Sequence, residues 1–143
     1  MSGEYYQLLW RRALRFMVRA ERDYSEGDYD GACFNAEEAL QLAVKALLYR
    51  YFAETPRIHG SRSLLARLRN LLMDAGRGRE AGLIEDYASR RRGDLVLLEE
   101  SYIMARYGSV AYGRLQAERC LSAAREGLEV LRRVEEGLGE VRG

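Results

Sequence analysis

Between Asp28 and Ala53 the chain carries apolar side chains at Ala32, Phe34, Ala36, Ala39, Leu40, Leu42, Ala43, Val44, Ala46, Leu47, Leu48 and Phe52. Wound at 3.6 residues per turn, these positions leave no broad wet face. Such a helix is either the centre of a bundle or covered on its second side by another subunit. Gly27 is placed to end the preceding helix, and the Asp28 carboxylate can accept from the orphan amides of the new first turn. A single proline, Pro56, set against many Ala, Leu, Glu and Arg residues suits helices and not a many-stranded sheet. With 143 residues, 48% hydrophobic and 31% charged, there is material for one packed domain, and wholesale disorder is excluded.

Helices are predicted on both sides of this segment. From Glu4 to Glu26, Tyr6, Leu9, Ala13, Phe16, Met17, Ala20 and Tyr24 recur at three and four residues. Arg11, Arg12, Arg15, Arg19 and Arg22 form an opposite basic stripe, with Glu26 one turn beyond Arg22 and able to pair with it. That stripe is either a solvated face or a surface that tracks phosphates. Residues 54–60, with Pro56 and the only histidine, read as a loop. Ser61 or Ser63 should cap a third helix bearing Leu64, Leu65, Leu68, Leu71 and Leu72 to about Ala75.

Gly76 and Gly78 should break the chain before a shorter helix over residues 79–91 that ends at Gly93. Asp94 should then cap a helix from Leu95 to Tyr107. A last helix over residues 112–137 presents Leu115, Cys120, Leu121, Ala124, Leu128, Leu131 and Val134, and the tail frays from about residue 138. The expectation is all-α: an antiparallel up-and-down bundle of five to six helices, one domain over residues 1–143.

The net charge of +1 advertises neither nucleic acid nor membrane globally. Locally, residues 57–92 hold nine Arg against four acids, which suits either a solvated loop region or contact with nucleic acid or an acidic partner. Of 23 basic residues only Lys45 is lysine. Cys33 and Cys120 lie in apolar helical contexts without a CxxC or a Cys/His cluster, so buried free thiols are expected, with no zinc site and no disulfide. No apolar run approaches the ~18 residues of a spanning helix, and the arginine-studded start does not read as a leader. A cytoplasmic, non-membrane protein is expected.

Within the central helix, Glu37, Glu38, Gln41 and Lys45 share an arc of about 100° bracketed by Phe34 and Phe52. Read in order, Gly27-Asp28-Tyr29, the run from Ala36 to Leu48, Thr55-Pro56-Arg57-Ile58-His59, the run from Leu98 to Tyr107 and the run from Ala117 to Leu121 resemble a HEPN domain over about residues 5–134. The resemblance implies an up-and-down bundle, commonly a homodimer, often paired with a small nucleotidyltransferase in a toxin–antitoxin-like or nucleotide-handling system.

Many members of that family are metal-independent ribonucleases carrying Arg, four to six residues, then His. Here the motif fails. His59 follows Arg57 by two residues and Arg50 by nine, and six residues after Arg106 stands Tyr112, whose phenol does not replace an imidazole near neutrality. The family usually has Gln at position 38 and Glu at 41; this chain exchanges them.

The reading that follows is a non-catalytic homodimeric module that binds a nucleotide or RNA phosphate or docks a nucleotidyltransferase partner. Glu38, Gln41, Lys45 and Arg106 converge, Lys45 and Arg106 hold the phosphate of a nucleotide or RNA, and Tyr102 or Tyr107 stacks on a base. The alternative use of the same polar residues is a structural network fixing helix register or a dimer. A divergent ribonuclease using Arg106 with Tyr112 or His59 is the enzyme alternative.

No cofactor or metal is expected, since there is no phosphate loop, nucleophile elbow, HExxH or calcium ladder. The carboxylate pairs Glu37-Glu38, Glu99-Glu100 and Glu135-Glu136 point about 100° apart and read as surface charge.

Overall fold

The computed structural model describes residues 2–109 and 111–139. Six helices follow in order: α1 (Ser2–Ser25), α2 (Tyr29–Phe52), α3 (Ser61–Asp74), α4 (Gly78–Arg90), α5 (Arg92–Tyr107) and α6 (Arg114–Leu138). The fold is all-α, as the periodicity predicts, and no strand occurs among the described residues. No described helix is long and apolar enough to cross a membrane. The expected fray from residue 138 falls mostly outside the described residues; Leu138 itself ends α6.

Local chemistry sets the element boundaries. Gly27 takes φ +80°, a conformation costly for a side chain with a Cβ, and Asp28 Oδ1 accepts from Gly31 N at 2.9 Å. Asn35 donates to Asp23 at 2.6 Å and ties α2 back to α1. At its far end α2 stops on Ala53, whose φ of 54° is unusual for a residue other than glycine.

α2 is the centre. It packs on α1, α3, α5 and α6, and its alanines at 32, 36, 39, 43 and 46 are wholly buried, letting those neighbours come close. The apolar second side therefore belongs to the intramolecular core, and α2's composition no longer argues for another subunit. Two links tie α6 to this core. Cys33 and Cys120 form a disulfide with Cα atoms 5.3 Å apart, which corrects the expectation of free thiols. They lie 87 residues apart in the chain, too far for spacing to reveal the pairing. Closing a loop of that length removes about 4–5 kcal/mol of chain entropy from the unfolded state in the simplest account. The second link is Tyr87 of α4, whose buried hydroxyl donates to Ala123 O at 2.6 Å.

Several finer expectations are corrected. Neither Ser61 nor Ser63 caps α3: the N-cap is Gly60, at φ +108°, and Ser61 is already helical. The carboxylates of Glu37 and Glu99 instead accept from the amides of Ser61 and Arg62, at 2.9 and 3.0 Å, so other helices cap this one. Gly78 opens α4 and Gly93 lies inside α5 with helical backbone, so neither is a break. Asp94 is not a cap; it ion-pairs with Arg91 at 3.0 Å and Arg119 at 2.7 Å.

Leu115 is 75% exposed because it lies about 180° around α6 from Ala117, Ala124 and Leu131, which face the core. Arg22 forms no ion pair with Glu26 among the described residues, and Trp10, absent from the predicted α1 face, is buried. Its indole donates to Glu135 at 2.7 Å while Arg132 lies 4.0 Å over the ring. Glu135 is thus not surface charge, and neither is Glu37.

Gly127 marks a close helix approach. A Cβ there would come within 2.5 Å of the Tyr87 hydroxyl and 2.7 Å of Leu40 Cδ1. Although alanine gains about 1 kcal/mol over glycine in a helix, overpacking costs more. Gly127→Ala is expected to lower unfolding free energy by about 1–2 kcal/mol, read as an earlier denaturant midpoint at unchanged slope. Tyr87→Phe/Gly127→Ala, which removes the nearest obstructing atom, should recover part of that midpoint.

Candidate functional site

The polar arc of α2 faces α5 and the loop between α2 and α3. Glu38, Gln41 and Lys45 from α2, His59 from the loop and Tyr102 and Arg106 from α5 line one open recess of about 440 Å³. Five of the six residues singled out from sequence meet there. Tyr107 does not: it stands 79% exposed on the far side of α5's last turn. His59 joins them. The sequence carried a signal for it only in being the single imidazole, set three residues after Pro56.

Within the recess the hydrogen bonds separate acids from cations. The Tyr102 hydroxyl donates to the Glu38 carboxylate, and Gln41 Nε2 donates to Glu37 Oε2 at 2.9 Å. Lys45 and Arg106 form no ion pair or hydrogen bond among the described residues. Arg106 stands over an aromatic pair instead, its Cζ 5.0 Å from the centre of the Phe34 ring and 6.0 Å from that of Tyr102, with the two rings 4.9 Å apart. Burial, and then the Glu38 hydrogen bond, push the Tyr102 phenol far above its ordinary value, so it stays a donor. The four-residue network foreseen in sequence is therefore two separate pairs plus two cations with no acid partner.

Behind Gln41 lies Glu37, without solvent exposure. Burial raises its carboxyl to about 7, against the opposing hydrogen bonds from Gln41 and the Ser61 amide. Among the described residues two buried side-chain atoms lack a partner, Glu37 Oε1 and Ser61 Oγ, both at this junction.

Elsewhere the charge excess of residues 57–92 is largely consumed. Arg62 pairs with Glu99, Arg67 with Glu54, Arg69 with Glu85, and Arg90 and Arg91 share Glu126. Tyr112 stands apart from the recess: its amide donates to Asp30 at 2.6 Å and its hydroxyl to Leu97 O at 3.2 Å. Among the described residues no group of three or more His, Cys, Asp or Glu is placed to hold a metal ion.

Glu37 predicts a pH dependence. Its folded value, about 7, exceeds the ordinary 4.5, so between these limits the native state keeps a proton that the unfolded chain has released. The stabilisation is complete below about 4.5 and is lost as pH rises through 7. Stability of the wild-type chain should decline from pH 5 to 8 by an amount on the order of 3 kcal/mol per such group. In Glu37→Gln the decline should flatten, and denaturant titration at three pH values measures it. Glu135, also raised to about 7 by burial and then by Glu136, supplies the slope that remains.

A protein-family model, described as the HEPN domain, matches residues 6–134. No curated protein and no solved structure matches the chain. The matched span opens at Tyr6 near the start of α1, ends at Val134 near the close of α6, and so takes in all six helices and the recess between α2 and α5: the chain belongs to the HEPN domain family.

Proposed function

We propose that the recess binds the phosphate of a nucleotide or of RNA, and that the protein acts as a non-catalytic module beside a small nucleotidyltransferase in a toxin–antitoxin-like pair. The nucleotide- or RNA-related character follows from the family. The observation that carries the site is the presence of two cations, Lys45 and Arg106, that face one recess and have no acid partner among the described residues. Arg106 offers a planar donor fork, already oriented by Phe34 and Tyr102, for two phosphate oxygens, and Lys45 adds a point charge. The half-buried Tyr102 ring is the surface for a base.

Isothermal titration with nucleoside mono- and triphosphates and with a 5′-phosphorylated RNA oligomer tests the reading. Each charge-assisted contact contributes about 1.5–3 kcal/mol, so Arg106→Ala and Lys45→Ala should each weaken binding by roughly tenfold or more. Affinity indifferent to both substitutions would remove the site.

A second reading is favoured by the position of His59. Imidazole is the side chain suited to taking a proton from a ribose 2′-hydroxyl as that oxygen attacks the adjacent phosphorus to form a 2′,3′-cyclic phosphate, while a water molecule protonates the departing 5′-oxygen so that it leaves as an alcohol. Lys45 and Arg106 would hold the charge that develops on the phosphate. Labelled RNA incubated without metal separates the two. Cleavage abolished in His59→Ala and Arg106→Ala supports a divergent ribonuclease; intact RNA with retained nucleotide binding supports the module. Tyr112, bonded to Leu97 O and away from the recess, has no part in either.

The protein is also proposed to be a homodimer. Ile103 and Tyr107, one turn apart on α5 and 65% and 79% exposed, form an apolar surface to one side of Arg106 that a second copy would cover. Sedimentation at micromolar concentration should give the mass of a dimer, and Ile103→Asp should shift it to that of a monomer. A wild-type monomer under these conditions would oppose the assignment.

A further inference from the structure

The arginines on the outer side of α1 are unpaired as a contiguous row, whereas on the rest of the chain paired and unpaired arginines are mixed, Arg50, Arg79, Arg92 and Arg106 among those with no salt bridge among the described residues. Nine arginines on the other helices and their junctions are ion-paired. None of Arg11, Arg12, Arg15, Arg19 and Arg22 forms a salt bridge among the described residues, and Arg19 only lies over its own neighbour Phe16, at 4.9 Å. Glu21, the one carboxylate between Arg11 and Arg22, is drawn away to Arg125 of α6 at 2.9 Å. Between these guanidinium groups two aliphatic side chains stand in water, Leu14 at 44% and Val18 at 55% exposure, one turn apart. Together they line a shallow groove of about 410 Å³.

We propose that this face, formed by Arg11, Leu14, Arg15, Val18, Arg19 and Arg22, docks an acidic amphipathic helix of another protein. The row from Arg11 to Arg22 runs about 16 Å along the axis, three turns, which is the length over which a partner helix presents two apolar residues with carboxylates on either side. The charge chooses the partner. A second copy applied by the same face would set arginine against arginine, and such like-charge juxtaposition opposes binding.

Nucleic acid would satisfy the guanidinium groups but leave Leu14 and Val18 unused, and the groove offers no aromatic ring for a base. An anionic bilayer would need α1 to turn its apolar side outward, yet Leu9, Ala13, Met17 and Ala20 on that side are buried in the bundle. An acidic helix with an apolar seam uses both kinds of group at once. This inference depends on the outer surface of α1 and not on what the recess between α2 and α5 binds.

The test titrates the 143-residue chain with two fluorescent peptides of about 20 residues and identical Leu, Glu and Ala composition. One has leucines three and four apart; the other is scrambled. A single-stranded RNA of similar length and phosphatidylserine vesicles are titrated in parallel. The patterned peptide should bind at least about tenfold more tightly than the scrambled one. Arg15→Glu and Arg22→Glu should each cost about tenfold, and Val18→Ser a severalfold loss with the salt dependence unchanged. These are exposed positions, and circular dichroism should show the fold intact. Equal binding of the two peptides, indifference to Val18→Ser, tighter Arg15-dependent binding of RNA or vesicles, or no peptide binding would each overturn the proposal.

Discussion

A carboxylate cut off from water must find donors inside the protein or give up its charge, and Glu37 does some of both. It sits in the middle of the most enclosed helix, takes hydrogen bonds from Gln41 and from the amide that opens α3, and is raised toward neutrality by its surroundings. Because α3 begins on that carboxylate, the α2–α3 loop has a fixed landing point, and Glu99 of α5 holds the next amide of the same turn. Three helices are thereby brought to one junction. His59, two residues before Ser61, is carried to the edge of the recess by this arrangement, and Gln41 forms its floor with one end already engaged.

The surroundings of α2 also explain why its polar residues behave so differently from one another. Glu37 and Gln41 point where α3 closes over them, whereas Glu38 and Lys45 lie at the margin where α5 leaves a gap. Burial is thus graded across about 100° of a single helix. The aromatic pair Phe34 and Tyr102 stands beside that gap, and the exposed Arg106 guanidinium lies over it.

Periodicity carried most of the fold. The apolar rows of α1, α2, α3 and α6 needed only the 3.6-residue repeat, and Gly27 and Asp28 announced a boundary through ordinary capping chemistry. What escaped was whatever depends on the chain meeting itself at long range. The Cys33–Cys120 bond joins residues 87 apart, α3 is capped from α2 and α5 and not by its own serines, and Trp10 is buried through a contact with Glu135 near the other terminus. Local rules assign a serine before a leucine-rich run to a cap because they cannot see a better acceptor arriving from elsewhere. In the recess, Lys45, Gln41 and Glu38 were legible as one arc, and Tyr102 and Arg106 stand four residues apart on α5. Tyr107, one residue further, turns away by about 100°, which decides its separation from the others.

The covalent link between α2 and α6 divides the chain into a ring and two arms. Everything from Cys33 to Cys120, including α3, α4, α5 and the loop with His59, lies within the closed circuit, while α1 hangs on one side of it and most of α6 on the other. A peptide bond cut in any connection inside the circuit leaves both fragments tethered, and the nick becomes visible as two bands only after the sulfurs are reduced. A cut in the turn between α1 and α2 would instead release the arginine-bearing arm from every covalent hold, leaving packing alone to keep it in place.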